Sequence, residues 1–183
     1  PDGLVPGTTY YWRIDEVNDA DPNGPWKGDI WSFWIPSLKA YNSFPTDGLE
    51  YVDPNVTFSW TAGLNSILHY VYFGDNYDEV SNASDGSLSM ETTYVPDTLE
   101  LGKTYYWRVD EFDGAATNRG DVWSFTTIPA IPMTDDPGLV AWWTLNEGTG
   151  ITAVDWSGYG HHGAIRGSTF WAEGYDLGAL EFT

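Results

Sequence analysis

The chain contains no cysteine and few cations, and each absence narrows what it can be. Without cysteine, disulfide scaffolds, thiol nucleophiles and cysteine-ligated metal sites are excluded. Only 7 Lys and Arg stand against 27 Asp and Glu, which gives a formal net charge of −20 over 183 residues. Phosphates of nucleic acids and anionic membrane surfaces are bound by clustered cations, so this balance argues against both partners. No apolar run reaches the roughly 18 residues of a membrane-spanning helix, and we expect no membrane insertion.

Aromatic residues and turn formers are abundant instead. Aromatic side chains make up 17% of the sequence, with 11 Trp and 12 Tyr beside 20 Gly and 11 Pro. This much apolar ring surface argues against a disordered chain. Rings, β-branched residues and turn formers together favour an all-β protein. The length allows one large or two small domains.

An internal repeat organises the sequence. Segment 7–16 (GTTYYWRIDE) returns 95 residues later as segment 102–111 (GKTYYWRVDE). Segment 28–33 (GDIWSF) returns 92 residues later as segment 120–125 (GDVWSF). Each copy has two strand-like runs joined by a polar, Gly-rich connection, which predicts a β-hairpin. The three-residue difference in spacing belongs in the connecting loop, where insertions are tolerated.

Alternation along the strands predicts which side chains are buried. Successive side chains of a strand point to opposite faces, so the tryptophan of each YYWR motif shares a face with the first tyrosine. The opposite face carries Arg13 and Arg108, whose guanidinium groups can stack on exposed rings. The residues that we assign to the structural core are Tyr10, Trp12, Trp31, Trp60, Tyr105, Trp107 and Trp123.

Three further strand-like runs lie between the two copies, at 56–60, 69–73 and 92–95. Short strands at this spacing predict a β-sandwich of about 90–100 residues. We place this domain at 38–129. The inward face of the run at 69–73 stays ambiguous, because both of its faces carry bulky side chains.

Two segments resemble a known family. LVPGTTY at 4–10, and less closely LELGKTY at 99–105, resemble the start of strand F in fibronectin type III domains. By this resemblance Tyr10 and Tyr105 would be the tyrosine-corner residues, and Trp60 would be the strand-B tryptophan. The resemblance implies a complete domain at 38–129 and the last two strands of a preceding domain at 1–35. The family consists mostly of spacer and binding modules, and it has no catalytic residues to carry over.

A Pro-rich linker at 130–137 separates this domain from a region of different character. The motifs at 138–148 (GLVAWWTLNEG), 155–163 (DWSGYGHHG) and 178–182 (GALEF) are similar to the start of laminin-G-like jelly rolls in the concanavalin-A-like lectin superfamily. The resemblance implies that 138–183 is the N-terminal part of such a jelly roll. It also implies glycan recognition. The ligand and calcium residues that the family places later are absent from this sequence.

Adjacent carboxylates occur in both copies, at 15–16 and 110–111, and a pair of acids is what a glycosidase uses. Neighbouring residues of a strand point to opposite faces, however, and a position present in both copies is typical of a structural role. The unrepeated acids Glu147, Asp155 and Glu173 do not form the Glu-x-Asp-x-Glu pattern of jelly-roll glucanases. No phosphate loop or nucleophile motif is present. We therefore predict that the chain is not an enzyme.

One loop has part of a calcium pattern. DADPNG at 19–24 places oxygen ligands at Asp19, Asp21 and Asn23 before a glycine. Ile30 stands where the bidentate acid of a complete calcium loop is expected. Calcium is therefore the one cofactor that the sequence offers, and a solvated loop between strands is the alternative.

Both ends are predicted to be unfinished domains, because an isolated pair of strands is marginal in water. The sequence begins at Pro1 with neither Met nor a signal peptide, so we expect an excerpt or a processed product. Either the ends are completed within a longer chain, or strands of another copy complete them as in donor-strand assembly. A head-to-tail contact of that kind propagates into a filament unless it closes.

These features predict a non-enzymatic, extracellular structural or adhesive β-sandwich array. The more specific hypothesis is that the chain is a self-assembling filament subunit. The alternatives are a glycan-binding adhesion module and an accessory region of a secreted carbohydrate-active enzyme. The expected partners are other copies of the chain, adjoining modules or glycans. Extracellular placement is implied by the two family resemblances and not by composition.

Overall fold

The structure is a computed structural model that describes residues 3–20, 23–175 and 177–182. The first copy of the repeat forms β1 (Thr9–Trp12) and β2 (Trp31–Trp34). The central region forms β3 (Tyr41–Phe44), β4 (Leu49–Val52), β5 (Phe58–Thr61), β6 (Leu68–Gly74), α1 (Tyr77–Asn82), β7 (Ser87–Ser89), β8 (Thr93–Tyr94), β9 (Thr104–Phe112), β10 (Thr117–Asn118) and β11 (Val122–Thr127). The C-terminal region forms β12 (Thr152–Ala153), β13 (Gly163–Ala164), β14 (Phe170–Glu173) and β15 (Gly178–Glu181). The predicted all-β fold class is confirmed.

The central region is a sandwich of two sheets. The smaller sheet has the strand order β3-β5-β8, and the larger has the order β4-β11-β9-β6-β7, with β10 paired to β9. Strand β9 is the centre of the larger sheet because it pairs antiparallel with both β6 and β11. Strand β4 instead runs parallel to β11. No helix among the described residues is long and apolar enough to cross a membrane.

Aromatic rings from both sheets fill the core of the sandwich. Phe58 of β5 is fully buried, and its ring centroid lies 4.7 Å from that of Trp107 and 5.4 Å from that of Phe125. Trp60 is also buried and meets Trp107 edge-on at 6.3 Å. Tyr105 is buried in the same cluster. Contacts of this size between aromatic residues dominate the stability of a small core.

Both faces of β6 are covered, which explains why its pattern is ambiguous in the sequence. Val71 is buried in the core between the sheets. Tyr72 points to the outer face and is buried there, under the guanidinium of Arg108. The helix α1 packs beside it and was not predicted. Its N-cap, Asn76, accepts hydrogen bonds from the backbone N–H groups of Asp78 and Glu79, which is a recognised start signal.

The loop before the first strand of each copy is fixed by a tyrosine. The hydroxyl of Tyr10 accepts a hydrogen bond from the backbone N–H of Val5 at 2.7 Å. The hydroxyl of Tyr105 accepts one from the N–H of Glu100 at 3.0 Å. The two copies therefore begin with the same junction, which is the geometry that the tyrosine-corner assignment requires.

The two hairpins share a register but differ in burial. Trp12 lies opposite Trp31 in the first, and Trp107 lies opposite Trp123 in the second. Trp107 is fully buried, whereas Trp12 and Trp31 are 45% and 47% exposed. The assignment of Trp12 and Trp31 to a core is therefore corrected. The physical reason is that no second sheet faces β1 and β2 within the described ranges.

The C-terminal region consists of two small hairpins, β12–β13 and β14–β15, and an isolated bridge between Trp143 and Asp155. It packs against the Pro-rich linker and the central sandwich: the N–H of Thr134 in the linker donates to the carbonyl of Ser157 at 3.0 Å, and a Cβ at Gly150 would lie 3.1 Å from the carbonyl oxygen of Glu50. The sheets described here are too short to form the two full layers of a jelly roll.

Candidate functional site: the Arg108 centre and its counterpart at Arg13

A buried ion pair lies on the outer face of the larger sheet. Nε of Arg108 donates to Oδ1 of Asp110 at 2.8 Å, and Nη2 donates to Oδ2 at 3.1 Å. The two residues are only 1% and 6% exposed. They are two positions apart on β9, so alternation puts both side chains on the same face. A bidentate arginine–carboxylate pair fixes the plane of the guanidinium.

The remaining donors of Arg108 close the end of α1. Nη1 donates to the carbonyls of Val80 and Ser81, both at 2.6 Å, and Nη2 donates to the carbonyl of Ala83 at 2.8 Å. The last carbonyls of a helix have no partner within it and carry partial negative charge. The guanidinium also lies 4.0 Å from the ring centroid of Tyr72. Arg108 is thus the C-terminal cap of α1 and the anchor that holds the helix on the sheet.

Gly120 ties the loop before β11 to the same centre. Its N–H donates to Oδ1 of Asp110 at 2.9 Å. A Cβ at this position would lie 2.0 Å from the carbonyl oxygen of Val109, so the loop crosses β9 too closely for any side chain. Gly28 in the first copy is constrained in the same way, because a Cβ there would lie 2.1 Å from the carbonyl oxygen of Ile14.

Gly120→Ala should therefore lower the stability of the central sandwich. The new Cβ collides with backbone, and overpacking of this kind costs about 1–3 kcal/mol in the free energy of unfolding. Urea denaturation followed by tryptophan fluorescence measures the loss. Gly3→Ala is the control, because nothing lies within 4 Å of its Cβ position. Equal stability of the two variants would contradict the close crossing.

The first copy contains the same pair without its surroundings. Nε of Arg13 lies 2.6 Å from Oδ1 of Asp15, and the N–H of Gly28 donates to that oxygen at 3.3 Å. The hydrogen bond from Arg13 lowers the pKa of Asp15, burial opposes this, and the Gly28 bond adds to the lowering. The side chains of Arg13 and Asp15 are 39% and 32% exposed. Within the described residues, Arg13 contacts no helix end and no carbonyl.

The adjacent carboxylates do not converge on one bond. Asp110 points outward to Arg108, whereas Glu111 points inward and is fully buried. Its Oε2 lies 2.6 Å from Nδ1 of His69 and accepts a hydrogen bond from the hydroxyl of Ser66. The carboxylate stands between the serine and the histidine, so the imidazole does not contact the hydroxyl as a general base must. This cluster has no signal in the sequence, because Glu111 lies more than 40 positions from both Ser66 and His69.

The calcium prediction is only partly within the described residues. Asp21 lies outside them, and Asp19 is exposed in the connection between β1 and β2. Among residues 3–20, 23–175 and 177–182, no group of three or more acidic or histidine side chains could hold a metal ion. Calcium at Asp19, Asp21 and Asn23 therefore stays a prediction.

The acids of the C-terminal region have architectural contacts. Oδ1 of buried Asp155 accepts hydrogen bonds from the N–H groups of Trp142 and Ser157 at 2.8 and 2.9 Å. Its Oδ2 accepts one from the N–H of His161 at 2.9 Å. Burial raises the pKa of Asp155, but the hydrogen bond from the Ser157 side chain, together with these three backbone hydrogen bonds, outweighs burial and holds the pKa well below its usual range. Asp155 thus organises the turn that contains His161 and His162.

Asp155→Asn should destabilise the C-terminal region at neutral pH, because an amide cannot accept all three hydrogen bonds. The folded-state pKa of Asp155 is depressed, so its stabilisation is present above the unfolded pKa of about 3.9 and is lost as pH falls below it. The melting temperatures of the two proteins should differ at pH 7 and converge in acid. Asp135→Asn is the exposed control. A difference that is independent of pH would argue against the carboxylate.

A solvent-open groove lies beside the Arg108 centre. It is lined by Tyr70, Ser84, Thr117 and Arg119, together with the buried pair. Arg119 lies across it and donates to the carbonyl of Ser81. The groove combines the rings of Tyr70 and Tyr72, the hydroxyl groups of Ser84 and Thr117 and the cation of Arg119, in a chain that is otherwise strongly acidic.

No family model and no curated protein matches the chain. Among solved structures, it is similar to the alpha-L-rhamnosidase from Dictyoglumus thermophilum, with 18% identity and a TM-score of 0.41 over 58% of this chain and 14% of the rhamnosidase. It is also similar to domains d3–d4 of the extracellular region of rat CD45, with 10% identity and a TM-score of 0.36 over 68% of this chain and 66% of that one. Neither similarity assigns an activity or a ligand to this chain.

Proposed function

We propose that this chain is a non-enzymatic structural segment of an extracellular β-sandwich array whose modules are joined by strand pairing and aromatic burial. The observation that carries the proposal is that the residues repeated between the copies have architectural contacts. The tyrosine closes a loop, the tryptophans face each other, and the arginine, aspartate and glycine form one hydrogen-bonded unit. If the repeated residues were catalytic, their side chains would instead converge on a cleft.

Ordered junctions support a role as a spacer. The rings of Trp34 and Tyr41 lie 5.2 Å apart across the connection between the hairpin and the sandwich. The N–H of Leu64 in the sandwich donates to the carbonyl of Ser37 in the connection at 2.7 Å. Contacts of this kind restrict the angle between neighbouring modules, which a free linker does not.

Sedimentation of the full chain over a range of concentrations tests the proposal. Association into linear particles, visible by negative-stain imaging, is expected if strand pairing joins the modules. Trp12→Lys should weaken this association, because a charge in the middle of the exposed ring face opposes burial. Trp142→Lys is the matched control, an exposed tryptophan outside the hairpin. Association that both variants leave unchanged would contradict strand pairing through β1 and β2.

The groove beside Arg108 supports glycan binding as a second candidate function. Aromatic rings with a few convergent polar groups are typical of such sites. A glycan array screened with the full chain, Tyr70→Ala and the control Tyr77→Ala tests this candidate. Binding that only Tyr70→Ala removes would move the assignment to a lectin-like module, either for adhesion or as an accessory region of a secreted carbohydrate-active enzyme.

A further inference from the structure

The hairpin β1–β2 has the sequence and register of β9–β11 but lacks what covers that pair. In the central sandwich, β6 pairs with β9 from Leu68 to Gly74, and α1 follows directly. Strand β1 has β2 on one edge, and no strand pairs with its other edge within the described residues. Unpaired backbone at a sheet edge is a template for another strand.

We infer that β1–β2 is the docking surface for a strand–helix segment of a polypeptide: its strand pairs with the free edge of β1, and its short helix ends with its last carbonyls on Arg13. This inference rests on the proposed array function and names the chemistry of the partner. The template is the chain's own β6–α1 unit, seated on β9.

Backbone register gives the position of the partner strand. Residues 72–74 of β6 lie opposite Arg108, Trp107 and Tyr106. The repeat carries these three positions to Arg13, Trp12 and Tyr11. Strand β9 continues for five residues after its tryptophan, all of them paired with β6, whereas β1 ends at its tryptophan. Docking should therefore extend β1 beyond Trp12 into residues 13–17.

The exposed rings of the hairpin define a second requirement. Three large side chains that share one face of β1 and β2 are 42–47% exposed: Trp12, Trp31 and Phe33. In the central sandwich the equivalent Trp107 and Phe125 are closed by Phe58 from the opposite sheet. The partner must therefore bring an apolar sheet face as well as one strand. A contiguous apolar patch of this kind marks an interaction surface.

The charge of the Arg13 centre selects a helix end over an anion. Asp15 already neutralises the guanidinium, as Asp110 does for Arg108. The donors left on Arg108 bind neutral carbonyls at the end of α1. The N–H groups of Arg13 that do not bind Asp15 have the same planar arrangement. This arrangement suits the partial negative charge of a helix C-terminus. A phosphate or a sulfate would instead meet the Asp15 carboxylate.

A fusion of the full chain tests the inference. Residues 38–95 are repeated ahead of Pro1, so that Pro1 follows them as Pro96 follows in the natural order. Amide hydrogen exchange at residues 11–17 and iodide quenching of Trp12 are compared with the unfused chain. We expect exchange to slow by about tenfold or more and quenching of Trp12 to fall. Unchanged exchange and quenching in the fusion would overturn the docking inference.

Arg13→Lys in the fusion separates the partner's helix end from strand pairing alone. A lysine cannot reproduce the bidentate fork, so protection of residues 11–17 should fall, whereas the exposed control Arg166→Lys should not change it. If both variants keep full protection, the helix-end chemistry is wrong while the array function stands. If the full chain shows no hairpin-dependent association but the fusion behaves as expected, self-assembly fails and the docking chemistry stands.

Discussion

Trp107→Ala should lower the free energy of unfolding of the central sandwich by about 3–5 kcal/mol, the usual cost of removing a large buried ring. Trp107 is fully buried, and its ring centroid lies 4.7 Å from the centroids of both Phe58 and Trp123. Alanine leaves a cavity between the two sheets that neighbouring rings can fill only partly. A loss of this size is a large fraction of the stability of a small domain. Urea denaturation monitored by far-UV circular dichroism measures it.

The repeat provides the matched control for this prediction. Trp12→Ala removes the same residue from the same motif, but Trp12 is 45% exposed and packs mainly on Trp31 at 4.5 Å. We expect Trp12→Ala to change the unfolding transition of the central sandwich by less than about 0.5 kcal/mol. If Trp107→Ala and Trp12→Ala behave alike, the core described here is wrong.

The same comparison shows how far the sequence predicts the fold. Alternation places Trp12 and Trp107 on the ring-bearing face of their strands, and the register of the two hairpins agrees. Burial does not follow from that pattern, because it depends on an opposing sheet. Phe58 supplies the sheet for Trp107, and its counterpart for Trp12 is not part of the described structure. A local motif can specify a face but not what covers it.

The candidate site is where sequence reasoning was weakest. Arg108 stacks on a ring as its position predicts, with the guanidinium 4.0 Å from the ring centroid of Tyr72, but the arginine is buried and not exposed. The difference comes from α1, a six-residue helix whose only clear signal is the Asn76 cap. The pairing of Glu111 with His69 joins residues on different strands, and their register is set by the whole sheet. Long-range pairing of this kind has no signature in a short window of sequence.

Arg108→Ala should be as damaging as the loss of the core tryptophan, by a different mechanism. Removal of the guanidinium leaves Asp110 buried without its partner, and breaking one side of a buried ion pair costs about 3–5 kcal/mol. It also leaves the carbonyls of Val80 and Ala83 without their donor, so α1 should detach before the sheet unfolds. Hydrogen exchange of residues 77–83 should rise at denaturant concentrations that leave β9 protected.

Two variants separate the charge from the cap. Arg13→Ala removes the equivalent but exposed arginine, where an ion pair contributes only about 0–1 kcal/mol, and it should leave the central sandwich unchanged. Arg108→Met with Asp110→Leu removes both charges together, which can cost little when apolar packing replaces a buried pair. This double variant should regain much of the stability lost in Arg108→Ala but not the protection of α1, because the helix end still lacks its donors. If α1 stays protected both in Arg108→Ala and in the double variant, Arg108 is not the cap that holds the helix on the sheet.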